Sequence, residues 1–212
     1  MKITWYGTAS VLLEAEGEKL LFDPFVQLAG GSNPNTLEDF PSDADICITH
    51  GHVDHMLGVN YVKETYGIPF AIHGKDKFLI DSAPTHGAIY GFKVDKVPTV
   101  DSDLEGQKEL KFGNTVFQII ETPGHTPGHV AFYNSDNKLL LTGDTLFRES
   151  IGRTDLPGGD YSWIMRSILD KLIPLGDDVH FYPGHGMEST IGHESLYNPF
   201  VTEVLNHEIN YK

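Results

Sequence analysis

Three histidines and an aspartate fall within six residues, His50-Gly51-His52-Val53-Asp54-His55, directly behind the short apolar run Asp45-Ile46-Cys47-Ile48-Thr49. A run of that length and composition reads as a buried strand, so four donor side chains collect where a strand leaves the core. In an extended or tightly turned segment, residues two apart project to one side. His50 and His52 can therefore reach one cation while Asp54 and His55 turn toward a second. With 11 histidines among 212 residues, two will sometimes be close neighbours by accident. Four donors in six positions after a strand is a much stronger pattern.

Three further segments repeat the arrangement of an apolar run ending in a donor among Gly and Pro. His125 stands in Thr122-Pro123-Gly124-His125-Thr126-Pro127-Gly128, Asp144 in Leu141-Thr142-Gly143-Asp144-Thr145-Leu146-Phe147, and His185 in Pro183-Gly184-His185-Gly186. Loops at one edge of a sheet would aim these donors from a rigid scaffold. His129 competes with His125, but it opens the next apolar stretch and reads as a packing or supporting residue. Asp144 offers two oxygens and suits a bridge between cations held roughly 3.5–4 Å apart. Five imidazoles and two carboxylates suit Zn²⁺, Fe²⁺ or Mn²⁺, and the single cysteine leaves no pair for a structural zinc site. A catalytic centre is the expected kind. His73, His86, His180, His193 and His207 lack comparable surroundings.

A chain of this length with 40% apolar residues can enclose one core, so a single domain over residues 1–212 is expected. Thirty acidic against 15 basic residues give a formal charge of −15. That surface suits neither nucleic acid nor an anionic membrane, which bind through Lys and Arg. A small-molecule substrate is the expected partner, and bound divalent cations would let a small anion approach locally. Cys47 reads as a small buried hydrophobe. The N-terminus enters a strand without a charged segment followed by an apolar one, and no apolar run is long enough to span a bilayer. Cytoplasmic residence is the expectation.

The first half opens with strands at Lys2–Tyr6, Ser10–Glu14 and Lys19–Phe22, the last stopped by Asp23-Pro24-Phe25. A loop over 28–35 follows, then a strand at Ile46–Thr49, a helix from about Asp54 to Tyr66 and a strand at Phe70–Ile72. A helix begins after Gly74, and the glycines of 85–92 predict a second loop, whose Tyr90 and Phe92 could line a pocket. The second half carries strands at Lys111–Phe112, Thr115–Glu121, Val130–Tyr133, Lys138–Leu141 and His180–Tyr182. A helix over about Asp160 to Leu172 is capped by Asp160 or Ser162, and a last one starts at Asn198-Pro199. The pattern predicts an α/β (α+β) fold in which two mixed sheets pack face to face with helices outside, an αββα sandwich.

These motifs, together with Ser150-Ile151-Gly152-Arg153-Thr154-Asp155-Leu156-Pro157-Gly158-Gly159 and Thr190-Ile191-Gly192, resemble the metallo-β-lactamase-fold hydrolases over roughly residues 45–200. The chain is similar to the compact relatives of glyoxalase II (hydroxyacylglutathione hydrolase). The resemblance implies that His50, His52 and His125 bind one metal, that Asp54, His55 and His185 bind a second, and that Asp144 and a hydroxide bridge them. Two divalent ions, zinc first and iron or manganese as alternatives, then lower the pKa of water from 15.7 to about 7. The bridging hydroxide attacks a thioester or ester carbonyl, with Asp54 and Asp144 as the catalytic carboxylates. Glyoxalase II proper has a C-terminal helical region that grips glutathione, and here only one terminal helix fits. Its Lys-aromatic-Tyr element is replaced by Arg153-Thr154-Asp155, in which Arg153 holds either a substrate carboxylate or a neighbouring acid.

Other readings use the same donors. A lactonase or phosphodiesterase would employ the same centre, whereas a nuclease normally needs a basic arm that this acidic chain lacks. Secreted β-lactamases carry a signal peptide, which this sequence does not show. From other classes come a mononuclear-iron persulfide dioxygenase and a non-catalytic metal-binding module. The full donor set argues against both.

Overall fold

The computed structural model describes residues 1–6, 9–24, 41 and 44–209, with side chains through 205. The loop expected over 28–35 lies outside the described residues. The chain divides into two compact units, Met1–Val116 and Phe117–Lys212.

In the first unit, β1 (Lys2–Trp5), β2 (Val11–Ala15) and β3 (Glu18–Phe22) form an antiparallel meander. Then β4 (Ala44–Cys47), β5 (Phe70–Ile72) and β6 (Ser102–Asp103) add in parallel, so the sheet is mixed and ordered β1-β2-β3-β4-β5-β6. Parallel neighbours need crossovers. The β4–β5 crossover holds α1 (Val53–Met56) and α2 (Val59–Tyr66), and β5–β6 holds α3 (Lys77–Ile89). Leu12, Leu21, Ile46, Ile48, Phe70 and Ile72 from the sheet pack with Met56, Val59, Val62 and Ile80 from these helices.

Two expectations are corrected here. The single helix over Asp54–Tyr66 is two, broken at Leu57-Gly58. The Gly58 N–H donates to the Pro24 carbonyl at 2.7 Å, and a Cβ there would stand 2.6 Å from that oxygen. Leu57 and Gly58 keep right-handed helical dihedrals, and the break lies in the Gly58 N–H going to Pro24 instead of to a carbonyl of α1. The loop over 85–92 is instead, as far as Ile89, the last turn of α3. The N–H groups of Gly91 and Phe92 donate to the Ala88 and Gly87 carbonyls, the paired bonds of a Schellman stop. Gly91, at positive φ, thus marks the helix end, with Tyr90 as its exposed cap.

Before the boundary, β7 (Glu109–Phe112) leads through Gly113-Asn114 into β8 (Thr115–Glu121). In the second unit, β8, β9 (Val130–Asn134) and β10 (Leu139–Gly143) are antiparallel. A short hairpin of β11 (Leu146–Phe147) and β12 (Ser150–Ile151) follows. Asp160 caps α4 (Tyr161–Ser167) by accepting the Trp163 N–H at 2.9 Å, and the helix loosens into a π-helical turn over Ile168–Leu172. Next, β13 (His180–Pro183) pairs parallel with β10, and β14 (Ser189–Thr190) pairs antiparallel with β13. The chain ends in α5 (Ile191–Tyr197), which the sequence reading did not separate, and α6 (Pro199–Ile209). Asn198 caps α6, its Oδ1 accepting the Phe200 N–H, with Pro199 at the first helical position. Leu140, Leu146, Ile164, Ile168, Phe181 and Val201 form the centre of this unit's core.

Candidate metal centre

In the first unit the donors His50, His52, Asp54 and His55 occupy the turn between β4 and the end of α1. Two buried carboxylates from elsewhere in the chain hold that turn. Asp23, one residue beyond β3, accepts the Thr49 N–H at 2.7 Å on Oδ1 and the Thr49 hydroxyl at 2.8 Å on Oδ2. The same Oδ2 lies 3.1 Å from His55 Nδ1. Asp76, at the head of α3, accepts the Gly51 N–H at 3.0 Å.

These contacts decide which ring nitrogens face outward. The Thr49 hydroxyl has given its proton to Asp23, so at 3.2 Å from His50 Nδ1 it acts as acceptor and fixes the His50 proton on Nδ1. The Asp23 carboxylate likewise favours the His55 proton on Nδ1. Each histidine then presents Nε2, the arrangement in which a carboxylate orients a ligating imidazole. His50 Nε2 meets His52 Nδ1 at 3.1 Å, and His55 Nε2 lies 4.0 Å from Asp54 Oδ2. His50 and His55 are fully buried.

In the second unit His125, Asp144 and His185 converge. His125 Nδ1 donates to the Arg153 carbonyl at 2.7 Å, which leaves Nε2 facing Asp144 Oδ2 at 3.6 Å. His185 Nε2 lies 3.4 Å from the same oxygen. Asp144 and His125 are buried, while His185 is 40% exposed in its side chain. Gly152 makes this packing fit: a Cβ on it would stand 1.8 Å from the Asp144 carbonyl and 3.3 Å from His125 Nδ1. His129, the competitor for His125, is buried close by, with its own ring engaged by Asp144, Thr122 and Thr145.

Both donor sets fit divalent cations. Two donors bound at about 2.0–2.1 Å to a tetrahedral ion stand roughly 3.3–3.4 Å apart. The nitrogen and oxygen pairs at 3.1, 3.4 and 3.6 Å bracket that separation. Neutral imidazole lone pairs beside a carboxylate are donors that Zn²⁺, Fe²⁺ and Mn²⁺ all accept.

The proposed substrate contacts stand differently. Arg153 forks onto Asp155 with two bonds of 2.7 Å, and that guanidinium holds the exposed Asp155 carboxyl down at about 2. Its charge is answered within the loop. Tyr90 is exposed, and Phe92 is partly buried where its N–H closes α3. Cys47 is buried, and burial with Asp23 nearby pushes its thiol well above the ordinary range, which suits inert packing.

Asp23, Thr49 and Asp76 escaped the sequence reading as functional residues. The one signal for Asp23 was an aspartate ending the apolar run Leu20-Leu21-Phe22, as Asp144 ends Leu139-Leu140-Leu141. Asp76 gave none.

The family model described as the metallo-β-lactamase superfamily matches residues 3–185. The chain is 40% identical over 164 residues to the hydroxyacylglutathione hydrolase GloC of Haemophilus influenzae, covering 74% of each chain. Among solved structures it is similar to the BLEG-1 B3 metallo-β-lactamase, with a TM-score of 0.81 and 32% identity, covering 95% of this chain and 99% of that one. It is also similar to TTHA1623 in a di-iron-bound form, with a TM-score of 0.78 and 31% identity, covering 94% and 100%. Its two mixed sheets with helices are the corresponding α/β fold, and the chain belongs to the metallo-β-lactamase superfamily.

Proposed function

We propose that the protein is a hydrolase of thioesters or related esters that works with two divalent cations. The observation that carries this reading is the Asp144 carboxylate, buried and flanked at 3.4 and 3.6 Å by the Nε2 atoms of His185 and His125. Such chemistry requires no Ser or Cys nucleophile. In this reading His50, His52 and His125 hold one cation, Asp54, His55 and His185 the other, and Asp144 serves both. The di-iron form of a structural relative supports a pair of ions, and the family's metal chemistry leaves zinc as our first choice. Bound cations would acidify water and polarise the scissile carbonyl.

The protein groups supply the rest. Asp23 and Asp76 keep the first turn in shape, and the Arg153 carbonyl holds His125 in the tautomer that binds through Nε2. Asp54, part-exposed at the end of its turn, accepts the proton that the attacking water gives up. The similarity to a hydroxyacylglutathione hydrolase supports a thioester substrate. The pairing of Arg153 with Asp155 argues against a strong demand for a substrate carboxylate at that point. The acidic surface favours a small-molecule partner over nucleic acid or an anionic membrane, and among the described residues no helix is long and apolar enough to cross a membrane. The cytoplasm is our proposed location.

The test is a panel of S-lactoylglutathione, simpler thioesters, lactones, phosphodiesters and a β-lactam, assayed with wild type and Asp144→Ala beside metal analysis. We expect about two cations per wild-type chain and thioester turnover that falls at least about 100-fold in the variant. Activity that survives Asp144→Ala means another centre does the work. Preferential turnover of the β-lactam or the phosphodiester moves the substrate assignment, and one iron with oxygen consumption replaces hydrolysis altogether.

A further inference from the structure

His129 is fully buried and is not among the seven donors, yet it touches both ligand turns of the second unit. Its carbonyl accepts the Thr122 N–H at 2.8 Å, closing the Pro123–Gly128 turn that carries His125. Its imidazole reaches the other turn, where Nε2 accepts the backbone N–H of Asp144 at 2.9 Å. The opposite nitrogen, Nδ1, lies 2.8 Å from Thr122 Oγ1 and 3.0 Å from Thr145 Oγ1, two hydroxyls that are themselves buried.

The tautomer follows from these contacts. A ring nitrogen that accepts an amide N–H carries no proton, so the neutral ring bears its proton on Nδ1 and donates it to a threonine oxygen. With both nitrogens engaged inside the protein, the ring is not presented to a cation. The residue before Asp144 is Gly143, at φ +47°, a backbone position with little intrinsic stiffness. The peptide that aims the Asp144 side chain is held at both ends, its Gly143 carbonyl accepting the Gly184 N–H at 2.9 Å and its Asp144 N–H donating to His129, and His129 is the side chain in that pair of contacts.

We propose that His129 is a positioning residue: by accepting the Asp144 N–H it fixes where the Asp144 carboxylate stands between His125 and His185. The inference rests on the two-cation reading given above and adds a residue through which that site is held in register.

The test uses the full chain and Co²⁺, whose visible absorption reports ligand geometry, in wild type, His129→Asn and His129→Gln. An asparagine amide ends where Nδ1 now stands, so it keeps the threonine contacts and gives up the Asp144 N–H. A glutamine amide reaches the place of Nε2 and supplies the acceptor again. We expect His129→Asn to bind cobalt about 10–100-fold more weakly with an altered spectrum, and His129→Gln to stay within about threefold of wild type. The metal-free variants should unfold at similar temperatures, so the difference does not track stability. Equal weakening in both variants, or none in either, overturns the proposal.

Should neither variant fold, the pair Thr122→Val with Thr145→Val removes both oxygens that receive the Nδ1 proton at nearly constant volume. We then expect about tenfold weaker binding, and unchanged binding overturns the idea. Wild type that binds no cobalt sinks this inference and the two-cation reading together. Wild type that binds two ions yet turns over no thioester or ester sinks the hydrolase assignment alone, because the cobalt titration still reads His129.

Discussion

Removing the Asp23 carboxylate deprives the Thr49 N–H and the Thr49 hydroxyl of their acceptor and takes away the charge that stands 3.1 Å from His55 Nδ1. Leaving a buried donor without its acceptor costs about 1–3 kcal/mol. Asp23→Ala is therefore expected to lower stability by at least that much and to weaken metal binding about 10–100-fold, since the groups behind a ligand matter nearly as much as the ligand. Asp23→Asn keeps one acceptor oxygen and should lose less on both counts. Thermal unfolding and a zinc titration check the two effects separately. The donors themselves were legible because ligation needs a narrow set of side chains, and His50, His52, Asp54 and His55 are packed into six residues. Asp23 was hidden because its partner Thr49 lies 26 residues away. Their meeting follows from the Phe22–Cys47 register of β3 on β4, which composition does not encode.

At the scale of elements, the break between α1 and α2 invites a direct test. Gly58 is the N-cap of α2, where Ala is no improvement on Gly, and Gly58→Ala drives a Cβ to 2.6 Å from the Pro24 carbonyl, an overpacking against backbone that costs about 1–3 kcal/mol. The variant should therefore be destabilised by about 1–3 kcal/mol in urea unfolding. A gain in stability would mean that the helices prefer to merge. The misreading of 85–92 has a related cause. Gly87 and Gly91 look alike in sequence, yet Gly87 lies buried within α3 and Gly91 ends it. A contact partner distinguishes them: a Cβ on Gly87 would press Val94, Phe92 and Val53 within about 3.3 Å, whereas nothing stands near that of Gly91. The strands Phe70–Ile72 and Thr115–Glu121 were read correctly because each is bounded by turn residues. The two-residue strands β6, β11, β12 and β14 are too short to leave a pattern.

Over the whole molecule, each unit owns a core of buried aliphatic and aromatic side chains that involves no cation. Chelation is therefore expected to leave the far-ultraviolet circular dichroism largely intact while lowering the unfolding temperature. Ligand linkage sets the scale at about 2.7–4.1 kcal/mol when free metal stands at 100–1,000 times its dissociation constant. Collapse of the dichroism on chelation would show that the cations, and not these cores, hold the chain folded. The mixed-sheet fold class was readable from alternating strands and helices, and the family from the motifs that close them. The substrate was not, because whether an exposed side chain such as Arg153 meets a ligand or pairs with Asp155, as it does here, is a matter of rotamer and not of residue type.

The clamp on the His50–His55 turn is built from a carboxylate, a hydroxyl and backbone amides, all supplied by the chain. Such a mould is expected to set before anything is poured into it, so that ion uptake needs no refolding. Donors that Zn²⁺, Fe²⁺ and Mn²⁺ all accept would then leave the choice among them to cellular supply.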